Sequence, residues 1–213
     1  MSFAVWETFY VTVLSTGFAL ALGLPLGVLL VAGDKDGVLP LPSWLMHGLN
    51  VVINILRSVP FLILMICVFP LSRAIIGTSV GTQATIVPLV VAAFPFVARL
   101  VETSLRELDP GVVEAAQSMG ATPMQIILKV MIPECLPGLI SSMTTGLTTI
   151  LGYSAMSGVI GGGGLGKVAI SYGYYRYQTD IMLICVVLLV LLVQLFQSAG
   201  TLWANKSDKR LRR

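Results

Sequence analysis

The sequence has 213 residues, of which 56% are hydrophobic and 11% are charged. A soluble domain carries roughly 25% charged residues, so this chain has too few charges to cover itself with a water-facing surface. Much of its surface must therefore face lipid, and the small net charge of +3 gives no reason to expect a nucleic-acid partner.

Cysteine and histidine are too sparse in this chain to predict a metal site. Cys67 and Cys185 lie inside apolar runs, where a thiol behaves as a small hydrophobe. His47 is the only histidine, so the Cys/His spacing of a zinc site does not occur. We predict no cofactor, no metal site and no catalytic constellation.

Hydrophobic segments long enough to cross a bilayer dominate the chain, since a span of roughly 30 Å takes about 20 mostly apolar residues. The segments predict five transmembrane helices, at about 9–32, 57–76, 80–101, 136–160 and 181–203. Residues 43–56 are less apolar and are expected to begin as an interfacial helix. The sequence therefore predicts an all-α integral membrane protein with one domain over residues 1–213.

The fourth predicted span is unusually polar for a transmembrane helix, because it contains eight serine and threonine side chains. Gly138, Ser142 and Gly146 recur every four residues and place small side chains on one helix face. Such a ridge lets two helix backbones approach closely, so this span is expected to be buried among other helices.

A stretch rich in glycine and tyrosine, residues 161–180, is predicted to be a flexible connection outside the cell. Gly161 to Lys167 matches the G-x4-G-K part of a phosphate-binding loop, but Val168 stands where Ser or Thr must hold magnesium. The flanking strand of such a loop is also missing, so we predict no nucleotide site here.

The positions of lysine and arginine predict the orientation of the five spans. With a cytoplasmic C-terminus, ten basic residues lie inside and three, Arg73, Lys167 and Arg176, lie outside. The segment at 102–134 is then cytoplasmic and the N-terminus external. The basic tail consists of Lys206, Lys209, Arg210, Arg212 and Arg213.

The segment at 102–134, the longest polar stretch between spans, begins with a helix-start signal. Asp109 is suited to cap a helix, and Pro110 is suited to its first position. The pattern predicts a short helix from Pro110 to about Met119 that stops at Gly120.

A second start signal follows directly, with Thr122 as the cap, Pro123 at the first position and Gln125 completing a capping box. This helix is expected to fail near Pro133, because the residue before a proline avoids helical angles. Two short helices that meet at Gly120 form a protrusion that a soluble partner can grip, and an ordinary structured loop is the alternative interpretation.

The same segment resembles the EAA motif of permeases from binding-protein-dependent ABC importers. Glu114-Ala115-Ala116 is followed by three residues, Gly120, nine residues and residues 130–133, which read VMIP where the family pattern has I-x-L-P. The resemblance implies that this helix seats in a cleft of a separate ATPase subunit. The ATPase-coupling residues that it implies are Glu114, Ala115, Ala116, Gly120, Ala121 and Pro123.

Residues 57–61 resemble a segment of the amino-acid importer branch of this family. Three further segments are similar to methionine importers: residues 119–126, 152–156 with the glycine run that follows, and 172–174. The similarity implies a permease for D- or L-methionine in the inner membrane of a bacterium. It also implies a homodimer of this chain, two copies of an ABC ATPase subunit, and a periplasmic or lipid-anchored methionine-binding protein.

The fourth span is the candidate for the translocation pathway. Tyr153, Ser154, Met156 and Ser157 offer a ring, two hydroxyls and a thioether, and a thioether suits an apolar amino-acid side chain. Helix packing is the alternative role for these four side chains.

Two other classes of function remain open from the sequence alone: a self-contained channel or secondary carrier for a small polar or amphipathic solute, and a membrane enzyme. No aspartate or glutamate lies deep in a predicted span, whereas proton-coupled carriers commonly need one. Missing catalytic groups disfavour the enzyme.

Overall fold

The structure is a computed structural model that describes residues 1–208, and every regular element in that range is helical. The all-α prediction is confirmed. Of the predicted basic tail, Lys209, Arg210, Arg212 and Arg213 lie outside the described residues. The α-helices of the first half are α1 (Ser2–Ala32), α2 (Ser43–Ser58), α3 (Phe61–Ile76) and α4 (Ile86–Arg106). Those that follow within the described range are α5 (Pro110–Ser118), α6 (Pro123–Ile126), α7 (Ile132–Glu134), α8 (Leu136–Ser157), α9 (Gly164–Val168) and α10 (Thr179–Ser207).

Three helical stretches are long and apolar enough to cross a bilayer by themselves: Ser2–Ala32, Gln83–Arg106 and Thr179–Ser207. Two bent pairs raise the number of candidate spans to five. One pair is α2 with α3, and the other joins Pro123–Glu134 to Leu136–Tyr174. The layout agrees with the expected five-span membrane protein.

Helix α1 packs along α4 and also contacts α8 and α9. Its closest approach to α4 occurs at two glycines one turn apart. A Cβ added to Gly23 would lie 2.7 Å from Cγ1 of Val97, and one added to Gly27 would lie 2.5 Å from the carbonyl oxygen of Ala98. Small residues at this spacing let two membrane helices touch through their backbones.

The chain turns by 109° between α2 and α3. Pro60 has no backbone N–H to continue the helix and forces Val59 into an extended conformation, with ψ at 127°. The sequence expectation of an interfacial helix before the second span therefore corresponds to a separate helix, which ends at Ser58.

The ridge of small residues on α8 faces α4, as expected. Oγ of Ser142 lies 2.7 Å from Oγ of Ser104, and Cβ atoms added to Gly138 and Gly146 would lie 3.7 Å from Ser104 and 3.5 Å from Val97. Helix α10 packs against another side of α8. The rest of its surface faces outward, and only 6% of its most apolar stretch is buried in the chain.

The glycine- and tyrosine-rich stretch is not a flexible connection, so that prediction was wrong. It forms α9 and a π-helix over Ala169–Tyr174, and Leu165 is fully buried. Glycines here serve close packing: a Cβ on Gly166 would lie 2.0 Å from the carbonyl oxygen of Ala155 in α8. Only a residue without a side chain permits that approach.

Candidate coupling and translocation sites

The segment from 109 to 134, here called the EAA segment, begins as the sequence predicted. The carboxylate of Asp109 accepts a hydrogen bond of 2.9 Å from the backbone N–H of Gly111, and Pro110 opens α5. The helix stops because Gly120 takes a left-handed conformation, with φ at +79°. The backbone N–H of Ala121 then donates to the carbonyl of Ala116 at 3.1 Å and closes the helix end.

The second helix of the EAA segment has the full capping box. Oγ1 of Thr122 accepts from the N–H of Gln125 at 3.4 Å, while Oε1 of Gln125 accepts from the N–H of Thr122 at 2.9 Å. The helical path continues as a π-helix over Ile127–Met131 and then as α7. It includes Pro133 in the first turn of α7, where a missing N–H costs little, and ends at Glu134, one residue beyond the predicted position.

The six predicted coupling residues fall into two groups in the structure. Ala116 is buried, and Ala121 is half-buried against the same apolar cluster, so these two hold the EAA segment to the bundle. The cluster includes Leu105 at the end of α4. The other four residues are exposed: Glu114, Ala115, Gly120 and Pro123.

Large apolar side chains are exposed beside these four residues. Met119 is 82% exposed and Met124 is 60% exposed, and Leu128 adds a third aliphatic group. Exposed apolar side chains grouped on a protruding element are typical of a surface that another protein covers. The EAA segment therefore offers a rigid, partly apolar protrusion.

An ion pair joins the loop after α1 to the end of α4, next to the EAA segment. Nη2 of Arg106 lies 2.9 Å from Oδ2 of Asp34, and both side chains are about half exposed. The hydrogen bond from Arg106 lowers the pKa of Asp34, with a smaller effect from the backbone N–H of Lys35. The α1–α2 loop and the EAA segment thus share one end of the bundle.

The four candidate pathway residues do not share one face of α8. Ser154 and Ser157 are buried against the rest of the chain, with Oγ of Ser154 3.4 Å from Oγ1 of Thr12 in α1. Met156 is 49% exposed and points away from that contact. Tyr153 is half-buried and stacks on Phe61, with ring centroids 4.4 Å apart and planes only 6° from parallel.

The exposed face of α8 carries small and polar residues at helical spacing. Ser141, Thr145, Gly152 and Met156 are all exposed in the single chain. Oγ1 of Thr145 donates to the carbonyl of Ser141 at 3.1 Å, so the hydroxyl is satisfied within its own helix. Small and polar side chains on a membrane helix suit contact with another helix or with an aqueous path better than contact with lipid.

The sequence did not predict a row of buried hydroxyl groups on α1, here called the hydroxyl stripe. Thr8, Thr12, Ser15 and Thr16 are all buried, although they lie in a span that reads as uniformly apolar. Their spacing of three and four residues is the signal that identifies one helix face. The stripe faces α8 and α9, where it meets Ser154 and the backbone of Leu165.

At the end of the bundle opposite the EAA segment, Glu7 joins three parts of the chain. Its carboxylate accepts a short hydrogen bond from the hydroxyl of Thr82 and a bond of 3.0 Å from the backbone N–H of Gly164. One residue further on, Oγ1 of Thr8 accepts from the N–H of Leu165 at 2.9 Å. These bonds satisfy N–H groups that the start of α9 cannot satisfy by itself.

Replacement of Glu7 by alanine is expected to destabilise the fold by about 2 kcal/mol, because charge-assisted hydrogen bonds of this kind are lost. The measurement is the thermal unfolding midpoint of the purified protein in detergent. Asp36→Ala is the matched control, since it removes an exposed carboxylate at the other end of the bundle. Equal midpoints for the two variants would contradict the role of Glu7.

An all-helical membrane bundle with a rigid, exposed protrusion at one end agrees with the class of membrane-embedded transporter subunits. Comparison with family models agrees, because residues 11–213 match the binding-protein-dependent transport system inner membrane component. The chain belongs to this family of multi-pass inner-membrane permease subunits.

Curated relatives match most of the chain, and one of them matches nearly all of it. A probable D-methionine transport system permease protein, MetI, of Vibrio cholerae is 51% identical over 208 residues, which are 97% of this chain and 92% of that protein. The D-methionine transport system permease protein MetI of Escherichia coli K12 is 49% identical over 154 residues, 72% of this chain and 70% of that one.

Solved structures extend the likeness to the fold. An inward-facing crystal form of the MetNI methionine ABC transporter contains a chain that matches with a TM-score of 0.95 and 45% identity, covering 98% of this chain and 96% of that one. An amino acid ABC transporter solved with histidines matches with a TM-score of 0.76 at 19% identity, which shows a shared fold alone.

Proposed function

We propose that this chain forms the translocation pathway of a methionine importer driven by a separate ATPase. The observation that carries the proposal is the likeness, over nearly the full length of both chains, to a chain of a methionine ABC transporter, at 45% identity and a TM-score of 0.95. Identity at this level spans the EAA segment and the bundle together. Methionine, in its D or L form, is the substrate that the relatives' names support.

The proposed coupling element is the EAA segment. Glu114, Ala115, Gly120 and Pro123 offer an exposed surface to the ATPase, while Ala116 and Ala121 anchor that surface to the bundle. Two copies of the ATPase subunit are expected, one for each copy of this chain.

The proposed pathway lies along the exposed face of α8, where two copies of the chain are expected to pair. Met156 and the half-buried Tyr153 are the candidates for contact with substrate. Ser154 and Ser157 lie on the opposite, buried face of α8 and stabilise its position. Ser154 contacts Thr12 of α1, and the hydroxyl of Ser157 donates a bond of 2.6 Å to the carbonyl of Ser154.

The proposed orientation places the N-terminus outside and the C-terminus in the cytoplasm. The placement of lysine and arginine supports it, with ten basic residues on the cytoplasmic side and three on the other. The contacts of Asp34 with Arg106, and of Glu7 with Thr82 and Gly164, group the loops at the two ends that this orientation requires. A methionine-binding protein, periplasmic or lipid-anchored, is expected to deliver substrate at the end that carries Glu7.

Reconstitution into liposomes tests the function. With the ATPase subunit and the binding protein present, the chain is expected to accumulate radiolabelled methionine only when ATP is supplied, and separate arms with the D and L forms define the stereochemistry. The control is the chain alone in the same liposomes. Equal uptake by the chain alone would indicate a self-contained channel or carrier and contradict the proposal.

A further inference from the structure

Helix α2 is only weakly attached to the rest of the described chain. Ile53 is its one buried side chain, and Trp44, Val52 and Ile55 are exposed. Its neighbour in the bundle is α4. The position of α2 therefore depends on a small number of contacts with α4, and these can be named individually.

The polar part of this attachment runs through one guanidinium group. Nη2 of Arg99 donates to Oδ1 of Asn50 at 2.7 Å and to Oδ1 of Asn54 at 3.1 Å, one turn apart on α2. The amide nitrogen of Asn50 donates to the carbonyl of Met46, which leaves its oxygen free to accept from Arg99. Nη1 of Arg99 meanwhile lies 2.6 Å from Oε2 of Glu102.

Glu102 extends the connection towards the EAA segment. Its second oxygen, Oε1, accepts a bond of 3.0 Å from Nε of Arg106, the last residue of α4. Glu102 is only 8% exposed, and a buried carboxylate is tolerated when both oxygens are paired with cations. Asp34 forms an ion pair with Nη2 of Arg106. The four charges form one continuous network along α4 and the loop after α1.

The network meets the EAA segment through the apolar cluster. Leu105, which lies between Glu102 and Arg106 on α4, belongs to the same buried cluster as Ala116 and Ile126. Movement of the EAA segment therefore displaces the end of α4 on which the network is built, because close-packed side chains move together.

At its other end, α2 leads directly to the candidate pathway. Its last residue is Ser58, and the chain turns at Pro60 into Phe61, whose ring stacks on Tyr153 of α8. A cavity of about 260 Å³ adjoins these two rings and Phe96. A shift of α2 thus moves Phe61 relative to Tyr153, and the cavity gives the ring room to move.

We propose that Arg99 and Glu102 are positioning residues that transmit movement of the EAA segment to α2, and through α2 to the stacked pair Phe61 and Tyr153. The inference rests on the proposed function, since it concerns how ATP-driven movement reaches the pathway. Both terminal nitrogens of the guanidinium are used, Nη1 towards Glu102 on α4 and Nη2 towards the two asparagines on α2, which a single ammonium group cannot reproduce.

The decisive variant removes the acceptors on α2 without changing any charge: Asn50→Ala combined with Asn54→Ala, in the transporter reconstituted with its ATPase and binding protein. ATP hydrolysis is expected to stay within about twofold of the wild-type rate, while methionine taken up per ATP falls by about tenfold, within the usual range of coupling between distant sites. Asn205→Ala, an exposed asparagine on α10, is the matched control and should retain the wild-type ratio.

The two proposals fail in different ways in this experiment. If the wild-type transporter takes up no methionine, the substrate assignment is contradicted. If the wild-type transporter is active and the double variant keeps the wild-type uptake per ATP, the transmitting role is contradicted. A parallel loss of hydrolysis, uptake and subunit association would also overturn it, because the residues would then be merely structural.

Arg99→Lys provides a second test that keeps a cation beside Glu102. The ammonium group is a point charge and cannot bridge Glu102 and both asparagines as the guanidinium does. Uptake per ATP is expected to fall while the assembled transporter elutes normally from a sizing column. A wild-type ratio in this variant would count against the inference.

Discussion

Replacement of Gly120 by tryptophan is expected to abolish ATP-driven uptake while the helical bundle stays folded. Gly120 is exposed, and no atom lies within 4 Å of the position that a Cβ would occupy. The isolated chain therefore has space for an indole ring. The same ring would occupy the surface that we propose for contact with the ATPase, so we expect the variant to lose association between the subunits and to keep its fold.

Backbone strain has to be separated from this effect, because Gly120 has φ at +79°. A bulky residue in the left-handed region costs roughly 1–2 kcal/mol, whereas asparagine tolerates this region well. Gly120→Asn is therefore the matched control and is expected to keep most of the uptake. The measurement is copurification of the ATPase subunit with each variant, and a tryptophan variant that retains its ATPase would contradict the assigned role.

Replacement of Gly27 by leucine is expected to prevent correct assembly of the bundle. A Cβ at this position would lie 2.5 Å from the carbonyl oxygen of Ala98 and 2.6 Å from Cβ of Val101, so α1 and α4 would have to separate. Overpacking of a core costs about 1–3 kcal/mol, and more where the obstacle is backbone, as it is here. We expect a loss of at least about 3 kcal/mol.

The control for this variant lies on the same helix. Gly17→Leu adds the same side chain where no atom lies within 4 Å of the new Cβ, and it removes a glycine from a helix interior, which favours stability by roughly 1 kcal/mol. The yield of monodisperse protein after detergent extraction, together with its unfolding midpoint, compares the two variants. Equal yields would show that the contact between α1 and α4 is adaptable.

The sequence predicted the local features of this molecule well. The caps at Asp109 and Thr122 and the stop at Gly120 depend on residues within a few positions of one another, and each formed as expected. The ridge that contains Gly138 and Gly146 was also recognisable, because helical spacing alone places both residues on one face.

Features that depend on distant residues could not be predicted in this way. Glycine runs are ambiguous: at Gly164 and Gly166 they permit a buried helix, although the same composition also suits a flexible loop. The contact of Glu7 with Gly164 joins residues 157 positions apart, so no residue near Glu7 in the sequence predicts it.

The candidate pathway shows the same division between local and distant information. The sequence placed Tyr153, Ser154, Met156 and Ser157 together because they are close in the chain. Their exposure differs because α1 covers the side of α8 that carries the two serines, and the hydroxyls that make this contact, such as that of Thr12, belong to a span with an apolar sequence.

The buried hydroxyl groups of α1 have a consequence for the order of synthesis. The first helix to leave the ribosome buries Thr8 and Thr12 against partners in the last third of the chain, 157 and 142 residues later. At roughly 5–20 residues per second, that interval lasts on the order of 7–30 s. During this time Thr8 and Thr12 lack these two partners, and the hydroxyl of Thr8 is satisfied by the carbonyl of Ala4 in its own helix.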